Sequence, residues 1–234
     1  MLFKNNGNAL FLILIAVALF AALSYAVTRS GEGGSGIEKE KLSLAVSDVM
    51  SYMGLMEHTI QKMMIRGVPF ENLDFNSTQR KGVDGSTVPR DNFKCTDPSC
   101  EIFSPEGGGL TFRNFPEIAQ SDPLPDGYGS SWLRPGEVEA WLVPISGLGT
   151  SAPELLVLIS AVQEDVCKAY NRRLGLPELI TTSASSREIF HQNSTDHAGH
   201  HTYTGDVAGQ TSFCARRPSD SVPFYNLFHV AVIR

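Results

Sequence analysis

The segment "IEKEKLSLAVSDVMSYMGLMEHTIQKMMIR" at residues 37–66 contains the longest regular pattern in the chain. Its apolar residues recur at alternating spacings of four and three, which places them on one face of an α-helix. We call this set the seam: Leu42, Val46, Val49, Met53, Met56, Ile60 and Met63. With Gly67 as its end signal, the pattern predicts an amphipathic helix over 37–67. Its seam packs either on the core of its own domain or against another subunit.

Upstream of this helix lies an apolar run of nineteen residues, Ala9 to Val27, interrupted only by Ser24 and Tyr25. Nineteen helical residues at ~1.5 Å each reach nearly 30 Å, the thickness of a bilayer core. The run predicts a transmembrane or assembly helix over 9–27, with residues 28–36 as a glycine-rich flexible joint. A secretory signal removed after Ala26 is the alternative, because small residues flank that site.

The start of the chain shows a family resemblance. Residues 1–8 form a short polar segment with Lys4, and Asn6-Gly7 precede Asn8-Ala9-Leu10-Phe11-Leu12-Ile13-Leu14. This arrangement resembles the class III leader of type IV pilins and pseudopilins. The resemblance implies cleavage after Gly7, a mature chain starting at Asn8, and an apolar helix that is retained for assembly. The assembly residues would then include Leu10, Leu12, Leu14, Val17 and Phe20.

The resemblance has two departures. Leu12 stands where most pilins carry a glutamate at the fifth position, and Asn8 replaces the usual phenylalanine or methionine. Within the family, absence of that glutamate is best known in a minor pseudopilin at the tip of the type II secretion pseudopilus. The resemblance leaves three fates for the leader: cleavage after Gly7, cleavage after Ala26, or no cleavage.

Residues 68–234 are predicted to form a globular α+β head outside the cytoplasm. We expect a hairpin with strands near 101–103 and 110–113, and a strand over 137–144. A capping box at residues 151–154 predicts a second helix that ends at Gly175. Its buried stripe would be Leu155, Ile159, Val162, Val166 and Tyr170. "PFYNLFHVAVI" at residues 223–233 predicts a central strand. The fold class is therefore α+β, with the long helix packed on a small antiparallel sheet and a second helix.

The four cysteines predict a disulfide-bonded head in an oxidising compartment. Cys95 and Cys100 bracket Thr-Asp-Pro-Ser, which favours a turn. Cys167 and Cys214 would then form the second pair. A four-cysteine zinc site is the alternative, although only one of the two pairs has close zinc-ligand spacing.

The composition argues against some functions, and the sequence nominates no catalytic acid or base. A net charge of −6 and a pI near 5.5 argue against a nucleic-acid partner. No metalloprotease, hydrolase or P-loop motif is present, so we predict no enzyme and no cofactor. The G-x-G-x-x-A match at residues 147–152 is assigned to the start of the second helix. Glu137 and Glu139 are assigned to the solvent face of a strand, and His58 and His229 to packing.

The predicted function is a non-enzymatic pilin-like subunit. It would be a single-pass inner-membrane protein with an extracytoplasmic head, assembling with itself or other pilin-like subunits into an extracellular or periplasmic filament. The alternative is a membrane-tethered binding module that holds a metal in the His191–His201 loop. The weak candidate ligands there are His197, His200 and His201.

Overall fold

The structure is a computed structural model that describes residues 7–30, 34–75, 94–120, 135–143, 145–150, 154–181, 205–217 and 223–233. Its helices are α1 (Gly7–Ser30), α2 (Gly34–Ile65) and α3 (Glu164–Leu174). Its strands are β1 (Val138–Val143), β2 (Glu154–Val162), β3 (Ile180–Thr181), β4 (Ser212–Arg217) and β5 (Phe224–Val232). The chain divides into two compact units, Met1–Ser43 and Leu44–Arg234.

The first unit contains α1, whose backbone is helical from Gly7 to Ser30. The side chains described for α1, residues 11–25, are all exposed. Within the described part of the chain, no helix has the length and apolar character needed to cross a membrane. The predicted leader residues 1–6 lie outside the described residues, while Gly7 and Asn8 belong to the first turn of α1.

The predicted joint over 28–36 is too long. Residues 28–30 continue α1 and residues 34–36 begin α2, and residues 31–33 lie outside the described residues. Glycine disfavours a helix by about 1 kcal/mol relative to alanine but keeps its backbone N–H, so a glycine-rich stretch can still be helical.

The seam residues of α2 that lie in the second unit pack into its core. The six seam residues from Val46 to Met63 are buried, and Leu42 is half-buried. The helix ends as predicted at Gly67, which has a φ of 96°. The N–H of Gly67 donates to the Met64 carbonyl at 3.0 Å, and that of Val68 to the Met63 carbonyl at 3.1 Å. These are the two bonds of a Schellman motif. Of the two predicted roles, the seam therefore has the first, packing on its own domain.

The five strands of the second unit form one sheet in the order β1-β2-β5-β4-β3. All neighbours are antiparallel except β3 and β4, so the sheet is mixed rather than purely antiparallel. The strands predicted near 137–144 and 223–233 are confirmed as β1 and β5, and β5 lies in the middle of the sheet.

Two helices cover one face of the sheet. Cys214 of β4 is bonded to α3, and Ser212 lies on the same face of β4 and contacts a residue of β5 that reaches α2. The opposite face carries a separate apolar cluster that includes a stacked pair, Phe213 and Phe228, with ring centroids 4.9 Å apart. Both faces of the central strands are therefore covered.

The prediction of a helix that starts at residues 151–154 is wrong, because residues 154–162 form strand β2. All nine residues of β2 are buried, as expected for an uninterrupted apolar run in a strand covered on both faces. The predicted stripe is therefore split: Leu155, Ile159 and Val162 lie on β2, and Val166 and Tyr170 lie on α3. Gly175 ends α3 as predicted, with a φ of 73°.

The predicted hairpin within residues 101–113 is also wrong, since the described residues 94–120 contribute no strand to the sheet. At Gly107 and Gly108 the backbone passes too close to residues 101 and 102 for a regular hairpin. The Gly108 N–H donates to the Glu101 carbonyl at 2.9 Å. A Cβ at Gly108 would lie 2.3 Å from the Ile102 carbonyl oxygen. This segment packs at the C-terminal end of α2, where Nη1 of Arg66, the residue after the helix, donates to the Gly107 carbonyl at 3.0 Å.

Both predicted disulfides are confirmed. Cys95 pairs with Cys100, and Cys167 of α3 pairs with Cys214 of β4. No cysteine is left free, so the four-cysteine zinc alternative is wrong. The second bond links a helix to the sheet, as the sequence predicted.

Candidate functional site

A chain of hydrogen bonds joins α2 to two strands of the sheet. Glu57 Oε2 lies 2.8 Å from His229 Nε2, and His229 Nδ1 lies 2.7 Å from Ser212 Oγ. With a neutral imidazole, one tautomer satisfies both bonds: the Ser212 hydroxyl donates to Nδ1, and the Nε2–H donates to Glu57. We call this set the Glu57–His229–Ser212 chain.

Local structure explains why these three residues meet. Ser212 and His229 are directly opposite in the β4–β5 ladder, so their side chains leave the same face of the sheet. Glu57 follows Met56, a buried member of the seam, and therefore lies at the edge of the buried face of α2. The Glu57 side chain is 34% exposed and that of His229 is 16% exposed.

The Glu57 carboxylate has a second partner on its own helix. Gln61 Nε2 donates to Glu57 Oε1 at 2.9 Å across one helical turn. Each carboxylate oxygen therefore accepts one hydrogen bond, from Gln61 or from His229. An ionised carboxylate has about four acceptor positions, so two remain for another donor. The carboxylate is thus oriented without being saturated.

This carboxylate faces a groove between α2 and the end of β5. The groove has a volume of about 520 Å³. The residues of α2 that line it are Glu57, Gln61, Met64 and Ile65, and the sheet side is formed by Thr211 and residues 229–233. The volume lies within the range of small-ligand sites.

The order serine, histidine, carboxylate matches that of a nucleophilic relay, but Ser212 lies away from the groove. The described residues that line the groove do not include Ser212. Its neighbour on the other side is the hydroxyl of Tyr170, which is 1% exposed, and burial raises the pKa of Tyr170 to about 12. A molecule in the groove therefore meets Glu57 and the edge of His229, and the chain acts as a support that orients the carboxylate.

A second polar contact ties α2 to residues 94–120. The two terminal nitrogens of Arg113, Nη1 and Nη2, donate to Asp48 at 3.0 and 2.6 Å, and this hydrogen bonding lowers the pKa of Asp48. The guanidinium also lies 4.9 Å from the centre of the Phe115 ring, within the range of cation–π attraction. The two side chains form a bidentate pair, so this contact is a structural tie.

Three glutamates near the edge of the sheet are buried, which the sequence did not indicate. Glu137 and Glu139 are 4% and 2% exposed, so their assignment to a solvent face is wrong. Glu154 is fully buried, and its Oε2 accepts a hydrogen bond from the Ile145 N–H at 2.8 Å. Burial raises the pKa of Glu154.

The predicted metal loop lies outside the described residues, because His191, His197, His200 and His201 fall within residues 182–204. The part of the chain that is described contains no group of three or more potential metal ligands. The G-x-G-x-x-A segment leads from β1 into β2, an antiparallel strand rather than a helix, so its assignment to a helix start is wrong. His58 is exposed, contrary to its predicted packing role.

The sequence offered one weak signal for the groove. Glu57 and Gln61 are four residues apart on the long helix, and His229 interrupts an apolar strand. Only the strand register and the position of α2 bring these residues together.

No known protein family, curated protein or solved structure matches the chain.

Proposed function

We propose that this protein is a pilin-like subunit, anchored in the inner membrane by residues 9–27 and assembled into a filament through the same apolar helix. The second unit would be the extracytoplasmic head. The leader-like residues 6–14, the apolar run and the two disulfides support this proposal. The order of elements does so as well, with an apolar helix followed by a helix packed on a small sheet.

The exposed apolar surface of α1 carries the proposal. Large apolar side chains along it are uncovered, among them Phe11, Leu14, Val17 and Phe20, the last 73% exposed. Contiguous apolar surface of this kind marks a site of contact with membrane or protein. The seam of α2 is already buried in its own domain, so it does not offer a comparable surface for assembly.

Leu12 determines where such a subunit would fit. In most pilins the fifth-position glutamate is thought to pair with the N-terminal amine of a neighbouring subunit, because an unpaired charge in a low-dielectric core is costly. Leu12 cannot pair with an amine. After cleavage before Asn8, the subunit would favour the filament tip or a place beside a glutamate-bearing subunit.

The mass of the intact protein from its native host tests the processing step. A chain that starts at Asn8 is expected. A start at Val27 would indicate a secreted protein without an anchor, and an unprocessed chain would indicate a plain anchor; either result would overturn the pilin-like class.

Cross-linking through single cysteines placed along residues 9–27 tests assembly. We expect cross-linked dimers, alone or with related subunits, at positions on one face of the helix. Val17→Glu should abolish membrane retention and assembly together, since a central charge opposes both. Leu12→Glu, the matched substitution nearer the N-terminus, should be tolerated or strengthen incorporation. Monomers at every position, in a protein that otherwise functions, would favour a simple tether.

A further inference from the structure

We propose that the groove between α2 and β5 binds a lysine side chain of a neighbouring subunit, with the ammonium group on Glu57 and the aliphatic stem on the apolar wall. The identity of the partner rests on the proposed assembly function. Binding of an alkylammonium ion to the groove does not, so the two can be tested separately.

The charge of the residues that line the groove favours a cation. Among the described residues that line it, Glu57 and His229 are ionisable, and none is a lysine or arginine. Glu57 supplies the carboxylate of this described lining. A cation that enters the groove gains an ion pair with the Glu57 carboxylate. Because this carboxylate is already held in position, binding costs little of its orientational freedom.

Two acceptor positions remain on Glu57, and an ammonium group can use either of them without the fixed geometry that a guanidinium requires. Arginine gains its advantage from two parallel bonds to both oxygens of a carboxylate. Here Gln61 takes one position on Oε1 and His229 takes one on Oε2. An ammonium group needs a single open position and can rotate its three donors to suit it.

The wall of the groove fits the stem of the same side chain. Met64, Ile65 and Ile233 line it beyond Glu57. Ile65 is 87% exposed and Ile233 is 53% exposed. Both therefore have apolar surface that the rest of the protein leaves uncovered. Lysine stems lie along such surfaces while the charged end reaches a polar partner.

The first experiment uses n-butylammonium as the probe, the full chain in detergent micelles, and the backbone amide NMR signals of Thr211 and Val230 to Val232. We expect saturable shifts with a dissociation constant in the millimolar range. Binding should weaken about tenfold in Glu57→Gln, which keeps an acceptor for His229 but removes the charge. Butylguanidinium should bind more weakly than butylammonium, and butan-1-ol should cause no comparable shifts.

Two further variants keep this test decisive. Glu106→Gln removes one exposed negative charge outside the groove and should leave binding unchanged. Ile65→Ser removes the most exposed part of the wall without disturbing the core, and should weaken binding measurably even if Glu57→Gln folds poorly. Equal shifts with butan-1-ol, or undiminished binding in both groove variants, would overturn the site.

The second experiment identifies the partner in assembled protein. A water-soluble carbodiimide joins a carboxylate to an amine in contact with it, forming an amide while the carbodiimide takes up the lost oxygen as a urea. Assemblies of mixed ¹⁴N- and ¹⁵N-labelled chains should yield a Glu57–lysine peptide of mixed label, or one joined to a related subunit. Assembly without any such peptide from Glu57 would overturn the lysine partner, whereas failure to assemble with intact butylammonium binding would overturn only the proposed function.

Discussion

Removal of the Cys167–Cys214 disulfide should destabilise the protein about twice as much as removal of the Cys95–Cys100 disulfide. The two bonds close loops of very different length, with sequence separations of 47 and 5 residues. In the chain-entropy model the loss of the longer loop costs about 4 kcal/mol at 25 °C, and that of the shorter loop about 2 kcal/mol. The perturbation is the double substitution of each pair by alanine.

Other hydrogen bonds also hold the native structure around the longer disulfide. The difference between the two variants therefore mainly reflects the entropy of the unfolded chain. Asn171 of α3 donates from Nδ2 to the Cys214 carbonyl at 2.9 Å and accepts from the Cys214 N–H at 2.7 Å. These two bonds hold α3 against β4 when the sulfurs are gone. Cys167 and Cys214 are fully buried, so the cavity left by their sulfurs adds to the cost and widens the difference.

Urea unfolding of the full chain in one detergent, monitored by tryptophan fluorescence and by far-ultraviolet circular dichroism, measures the two free-energy differences. Coincident transitions from the two probes are needed for a two-state treatment. We expect the Cys167→Ala, Cys214→Ala variant to lose about 4 kcal/mol or more. A loss below about 1 kcal/mol, or a greater loss from the Cys95–Cys100 pair, would refute the loop-length reasoning.

Four other substitutions give expected outcomes by the same unfolding assay. Gly54→Ala on α2, where an added Cβ meets nothing within 4 Å, should stabilise by up to about 1 kcal/mol; Gly108→Ala should instead destabilise strongly, and equal effects would contradict the contact geometry. Asp48→Asn should cost at most about 1 kcal/mol near neutral pH because the ion pair with Arg113 is exposed. Since the folded pKa of Asp48 is lowered, this cost should vanish as the pH falls through that pKa. Glu154→Gln should gain stability relative to wild type as the pH rises above the ordinary glutamate pKa of 4.5. The folded pKa of Glu154 is raised, so ionisation in the buried site then opposes folding of the wild type. A difference in stability that does not depend on pH would refute this.

Signals that act over a few residues were sufficient for several elements. The seam spacing predicted α2, and Gly67 and Gly175 marked helix ends, because a residue that tolerates positive φ is needed there whatever the rest of the fold does. The turn between Cys95 and Cys100 likewise brings its own ends together. These features depend on backbone geometry that neighbouring residues determine.

Elements that depend on distant partners were mispredicted or missed. Residues 154–162 have strong signals for a helix start just before them, yet they form a strand because β1 and β5 pair with both of its edges. Glu137 and Glu139 alternate with apolar residues as an exposed face would, but the surrounding chain buries them. Local propensity is worth tenths of a kcal/mol per residue, and burial of a central strand outweighs it.

Sequence pattern alone was sufficient to predict the long amphipathic helix, the last strand and the pairing of the cysteines. The packing of the whole domain buries the seam in the protein's own core and places Glu57 opposite His229, which is 172 residues away in the chain. Helical periodicity and turn chemistry are short-range properties that can be inferred from spacing. Contact between a helix and a strand depends on register and packing, which are established only when all the partners fold together.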